Sequence, residues 1–173
     1  MSGNARQPKA VAGRATVTLL AAGAASALVS GCAAHAATPP PSPATTQVRS
    51  DYLAYWSALL HTSTSENPND TGLKAHAAST MLATLQYNLA LSRRQFLVAK
   101  GQVGHDITGI SIDAGIATLT DCVNVDPWLL YDARTGKLKA GQLKARPHQL
   151  GVYTLARRDG TCVVTNDQVA GTC

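Results

Sequence analysis

Residues 148–169 read HQLGVYTLARRDGTCVVTNDQV. Asp159-Gly160 lies between two runs rich in strand-forming residues. That dipeptide suits a two-residue hairpin turn, whose central positions both take positive φ. The stretch therefore predicts two antiparallel strands, His148–Arg158 and Thr161–Val169. Upstream, Ile107–Ile112 alternates, with Ile110 and Ile112 on one face. Asp113-Ala114-Gly115 turns the chain, and Ile116–Val123 forms a further strand. Trp128–Tyr131 continues pairing after the break at Asn124-Val125-Asp126-Pro127. The second half of the chain thus reads as an antiparallel meander.

The first half reads as helices. Val48, Tyr52, Tyr55, Trp56, Leu59 and Leu60 recur at spacings of three and four, an amphipathic stripe. Residues 62–72 carry Asn, Pro, Asp and Gly and read as a loop. A short helix is expected over 72–78. Ser79 or Thr80 caps a longer one, with Met81, Leu82, Leu85, Leu89 and Phe96 on its buried side and Gly101 as its stop. Helices followed by an antiparallel sheet give the α+β class.

The full sequence has 173 residues, 45% of them apolar and 14% charged, which fits neither a disordered chain nor a polytopic membrane protein. Residues 47–173 read as one domain. The formal net charge is +5, but three of the fifteen Lys and Arg residues (Arg6, Lys9, Arg14) lie in the first 31 positions. The remaining twelve face ten acidic residues, so the basic balance is no nucleic-acid footprint.

Those first 31 residues have the layout of an export signal: a basic start, an apolar run over 15–29, then small residues. The run is shorter than the ~20 residues that span a bilayer. Val29-Ser30-Gly31-Cys32 resembles the lipobox of bacterial lipoproteins, which implies cleavage before Cys32 and lipid on its thiol. Acylation with two or three chains, palmitate among them, holds a protein stably at a membrane. The expected location is the outer face of the bacterial cell membrane. Residues 32–46 comprise that cysteine and a flexible Pro-rich tether with Pro39, Pro40, Pro41 and Pro43.

Further motifs are Ala117-Thr118-Leu119-Thr120-Asp121-Cys122-Val123, Trp128, Tyr131-Asp132, Thr135-Gly136 and Gly171-Thr172-Cys173, together with Tyr52, Tyr55 and Trp56. As a set they resemble a group of small secreted proteins and lipoproteins of actinobacteria. The resemblance implies a nuclear-transport-factor-2-like, cystatin-like cone, with helices packed on a curved antiparallel sheet. Enzymes of that fold, such as ketosteroid isomerases and polyketide cyclases, use the cavity of the cone.

With Cys32 lipidated, Cys122, Cys162 and Cys173 remain, and an exported chain pairs what it can. Cys173 lies eleven strand positions beyond Cys162, ~36 Å, too far for a bridge unless the strand breaks. Cys122–Cys173 is the expected disulfide, with Cys122–Cys162 as the alternative.

Tyr52, Tyr55 and Trp56 are candidates for an aromatic-lined pocket, or for ordinary core. Asp121 stands among apolar strand residues and shares a face with Leu119 and Val123. A buried carboxylate there would serve as an acid/base, or simply as a hydrogen-bonded structural group. The histidines are scattered and form no metal-binding motif, so neither a metal nor a cofactor is expected. Segment 134–146 carries Arg134, Lys137, Lys139, Lys144 and Arg146, a candidate basic patch. The leading expectation is a non-enzymatic lipoprotein binding an envelope protein or a small apolar ligand, and not nucleic acid. The alternatives are an isomerase- or cyclase-like enzyme using Asp121, and a binder of anionic polymers through 134–146.

Overall fold

A computed structural model describes residues 42–65, 71–142 and 146–173. Cys32 and Lys144 lie outside the described residues. The elements are α1 (Pro43–Thr64), α2 (Thr71–His76), α3 (Ser79–Arg94), β1 (Leu97–Lys100), β2 (Gly104–Asp113), β3 (Ile116–Asn124), β4 (Leu129–Asp132), β5 (Gln149–Arg158) and β6 (Thr161–Thr172). This is the expected α+β architecture. β2, β3, β5 and β6 form one antiparallel sheet in that order, and β1 pairs with β4 in a second.

Helix α1 starts at Pro43, so residues 43–46 belong to it and not to a flexible tether. Ser42 accepts a hydrogen bond from the backbone N–H of Thr45 at 3.2 Å, and proline fits the first helical position because its missing N–H has no partner there. The helix also runs to Thr64, into the stretch that reads as loop. The hydroxyl of Thr62 donates to the carbonyl of Ala58 at 2.8 Å and that of Ser63 to Leu60 at 2.7 Å. Back-bonding to the helix lets these polar side chains be buried.

Helix α3 is capped by Ala78, with Ser79 already inside it. It ends where Phe96 turns to φ 57°, and Leu97–Lys100 is a strand rather than a last helical turn. The reason is the apolar pair Leu97-Val98. Adjacent residues point to opposite faces of a strand, and both are buried here. Phe96 itself is exposed, not part of the buried stripe. β4 takes β1 as its partner instead of extending the meander. The Arg93 guanidinium binds α1 to α3 by donating to the carbonyls of Thr62 at 3.0 Å, Ser63 at 2.8 Å and Leu97 at 2.9 Å.

The β5–β6 turn is the expected one, with Asp159 at φ 50° and Gly160 at φ 87°. The core lies between the helices and one face of the four-stranded sheet. It gathers Val48, Tyr52, Tyr55, Trp56 and Leu59 from α1, and Leu119, Val123, Tyr153, Leu155 and Val164 from the strands. The bridge is Cys122–Cys173, with Cα atoms 5.9 Å apart, and Cys162 is a buried free thiol.

The bridge closes a loop across 51 positions, so reduction is expected to destabilise the domain by about 2–4 kcal/mol. Urea unfolding of wild type and Cys122→Ala/Cys173→Ala checks this.

Candidate functional site

The most polar spot in the core is built on Asp121, which is fully buried together with its strand neighbours Leu119 and Val123. The shared face read from the sequence is the core face. Oδ2 of Asp121 accepts the Tyr52 hydroxyl at 2.7 Å and stands 2.6 Å from Nδ1 of His105. Oδ1 has no partner among the described residues. The Tyr52 hydroxyl also interacts with that of Tyr153, whose ring lies 4.8 Å away. His105 is enclosed by aromatic rings, Tyr52 at 5.6 Å and Trp56 at 5.2 Å, and its side chain keeps 14% of its surface exposed.

Two backbone features assemble this cluster. Between Ile107 and Gly109 the β2–β3 register slips by one residue. Without that bulge at Thr108, His105 would point away from the core, because side chains alternate along a strand. With it, His105 stands opposite Val123 and diagonal to Asp121. Across β3 on the other side, Asp121 pairs with Gly151. A Cβ on Gly151 would come within 2.6 Å of the Tyr153 ring, so glycine leaves the space that ring fills.

Burial pushes the phenols upward. Tyr52 is raised well above the ordinary range by burial, then by Tyr153 and Asp121. Tyr55 is raised by burial and then by Asp167. Tyr153 is pushed up to about 12, chiefly by burial. Burial likewise raises the Cys162 thiol, so it is a poor nucleophile.

The aromatic residues thus gather as core. Tyr52 and Asp121 meet directly, Trp56 stands beside His105, and Tyr55 packs on Trp56 at 5.9 Å. None of them lines the apolar pocket beside α3. That pocket, of about 220 Å³, lies between α1, α3 and the small sheet. Its walls include Leu59, Leu85, Leu89, Trp128 and Leu130, with Ser63, Asn88, Ser92 and Arg93 as polar members. Trp128 separates it from the polar cluster, 6.2 Å from Trp56 and edge-on. His105 is the member of the cluster that sequence reasoning passed over.

The basic segment is less free than its sequence suggests. Arg134 pairs with Asp132 at 3.4 Å and covers the Phe96 ring at 4.1 Å. Arg146 pairs with Asp126 at 3.6 Å and donates to the carbonyls of Val125 and Trp128. Lys137 and Lys139 are exposed. Among the described residues no three His, Cys, Asp or Glu side chains group as metal ligands, and no helix is long and apolar enough to cross a membrane.

Tyr52→Phe removes the hydroxyl that donates to the buried Oδ2 of Asp121 and is expected to cost about 1–3 kcal/mol in urea unfolding. The raised tyrosines also set an alkaline limit. Their contribution is complete below the unfolded value of about 10 and is lost as pH rises through the folded values. For Tyr153 that loss is spent by about pH 12. Urea midpoints are therefore expected to fall steadily from pH 9 to pH 11.5, and less steeply in Tyr153→Phe.

No family model and no curated protein matches the chain. Among solved structures it is similar to the intermembrane space region of the chloroplast protein ARC6, at 13% identity and TM-score 0.54, covering 77% of this chain and 100% of that one. Aln2 from a Streptomyces species aligns at 14% identity and TM-score 0.49, over 76% and 93% of the two chains. A Nostoc punctiforme protein of unknown function with a cystatin-like fold aligns at 10% identity and TM-score 0.43, over 72% and 88%. At such identities the likeness to the ARC6 region is one of fold.

Proposed function

We propose that this chain is a membrane-anchored envelope lipoprotein of the actinobacterial type, held by lipid on Cys32 at the outer face of the cell membrane. Its domain binds a small apolar ligand in the pocket between α1, α3 and the β1–β4 sheet. The observation that carries the binding reading is the pocket itself: four leucines and a tryptophan around about 220 Å³, with Ser63, Asn88, Ser92 and Arg93 as its polar members. Drug-sized sites run to ~300–1,000 Å³, so this one suits a smaller guest.

Acid/base chemistry at Asp121 has less behind it. Asp121, His105 and Tyr52 are hydrogen-bonded to one another and stand apart from the pocket. A catalytic base needs a reacting atom within hydrogen-bond reach. A polymer-binding role for 134–146 is weakened in turn by the pairing of Arg134 with Asp132 and Arg146 with Asp126.

Native mass spectrometry of the exported protein, before and after denaturation, tests the ligand reading. The expected result is a mass lost on unfolding, or saturable uptake of a small aromatic probe such as 1-naphthol. Ala99 also lines the pocket. Ala99→Phe is expected to fill it and weaken probe binding about tenfold or more. Probe uptake unchanged by that substitution would sink the pocket assignment. Cross-linking to an envelope protein in its place would favour a protein partner.

A further inference from the structure

One end of the four-stranded domain carries both hairpin tips and the start of α1. Ile116 pairs with Ala156, which sets the β2–β3 turn at Ala114-Gly115 beside the β5–β6 turn at Asp159-Gly160. Ala44, Gln47 and Val48 of α1 share a hollow of about 240 Å³ with Ile112, Gly115 and Arg157. Ile112 and Ile116 are 43% and 44% exposed, large apolar side chains left in the open at a hairpin tip. Ile112 lies opposite the buried Ala117, and Ile116 precedes it, so the two isoleucines occupy opposite faces of that tip.

Four basic residues outnumber three acidic ones here, the buried Asp51, which accepts from the backbone of Cys162, and Asp113 and Asp159. Arg157 and Arg158 lie just before the β5–β6 turn, and a guanidinium nitrogen of Arg158 donates to the Lys74 carbonyl at 2.7 Å, which brings α2 to the same end. Arg49, in the second turn of α1, lines a groove with Thr45, Thr46 and residues 107–110 of β2, next to that end. None of Arg49, Lys74, Arg157 and Arg158 is in an ion pair among the described residues. Asp113 and Asp159 are the acidic residues of the two turns.

The chain reaches this end from Cys32. Nine residues separate Cys32 from Ser42, the cap of α1. Nine residues span at most ~30–32 Å. Helix α1, at 22 residues, is itself about 33 Å long. Leu59 and Ser63, and with them the apolar pocket, lie towards its opposite end.

We infer that the Ile112/Ile116 end docks on an anionic lipid surface. The two isoleucines enter the interface and Arg49, Lys74, Arg157 and Arg158 meet the phosphate headgroups. Charge attraction of this kind acts within ~8–10 Å, and a short tether keeps the end near enough for it to act. Docking fixes an orientation, with the pocket between α1 and α3 turned away from the lipid. The inference rests on the lipid anchor proposed at Cys32 and goes beyond it, since an anchored domain could also hang free.

Brominated lipids test this on the full chain, exported so that Cys32 can be acylated and reconstituted in vesicles of phosphatidylglycerol and brominated phosphatidylcholine. Ile116→Trp reports from the hairpin tip, and Leu91→Trp from the exposed face of α3. The native Trp56 and Trp128 are largely buried and give a constant background. Bromine quenching of Ile116→Trp is expected to exceed that of Leu91→Trp by ~2-fold or more, because interfacial tryptophan settles at headgroup depth. The excess is expected to shrink in high salt and in Arg157→Ser/Arg158→Ser. Ile112→Trp serves as a second reporter if Ile116→Trp fails to fold by circular dichroism. Equal or reversed quenching on vesicles that carry the protein down in the centrifuge overturns docking and leaves the anchor standing. Protein left in the supernatant overturns the anchor, and docking with it.

Discussion

One carboxylate oxygen, Oδ2 of Asp121, holds the first helix to the sheet. It takes the Tyr52 hydroxyl from α1 and faces His105 from β2, so three elements meet on one atom. A fully buried carboxyl with fewer partners would be costly, and the position of α1 over β3 follows from satisfying it. The aromatic rings then close around the contact. Tyr153 fills the space above Gly151, and Trp56 shields His105 from the side. Space for a guest is left further along α1, where Leu59 and Ser63 face the pocket shared with α3, Trp128 and Leu130.

Much of this was legible in the residues, for physical reasons that can be named. The Asp159-Gly160 turn needs two positive φ values, which few dipeptides accept, so the hairpin and its register could be read directly. Alternation put Asp121 on the core side with Leu119 and Val123. Strand length ruled out Cys162–Cys173, and of the two pairings left the structure has the expected Cys122–Cys173. The failures have equally specific causes. The bulge at Thr108 leaves no sharp mark in the sequence, yet it decides which way His105 points. Thr62 and Ser63 look like loop residues until their hydroxyls are seen to bond back into the helix. Leu97-Val98 reads as the tail of a helix because its partner strand, Leu129–Asp132, is more than thirty positions away. The basic character of 134–146 is plain in the letters, but Asp126, the partner of Arg146, lies twenty positions away and meets it only in space.

The domain also has a direction along α1. Its N-terminal end carries open isoleucines at a hairpin tip, with the Arg157 and Arg158 pair beside the neighbouring turn. Its C-terminal end is crowded. Arg93 gathers carbonyls from the end of α1 and the start of β1, and the small β1–β4 sheet closes over them. The first end suits contact with a surface that is itself fluid and charged. The second suits a small, shaped recess.

The disulfide has a consequence for exchange between molecules. Cys122 sits in β3, paired with Leu150 of β5, and the backbone of Cys173 donates to His148 just before β5 begins. The covalent link therefore passes from β3 to the residue that follows β6, across the start of β5 at the base of the β5–β6 hairpin. Two molecules can trade a hairpin only if it can leave one sheet and enter another with its connections intact. Here the hairpin is laced at both ends, and once oxidised each copy keeps its own last strand.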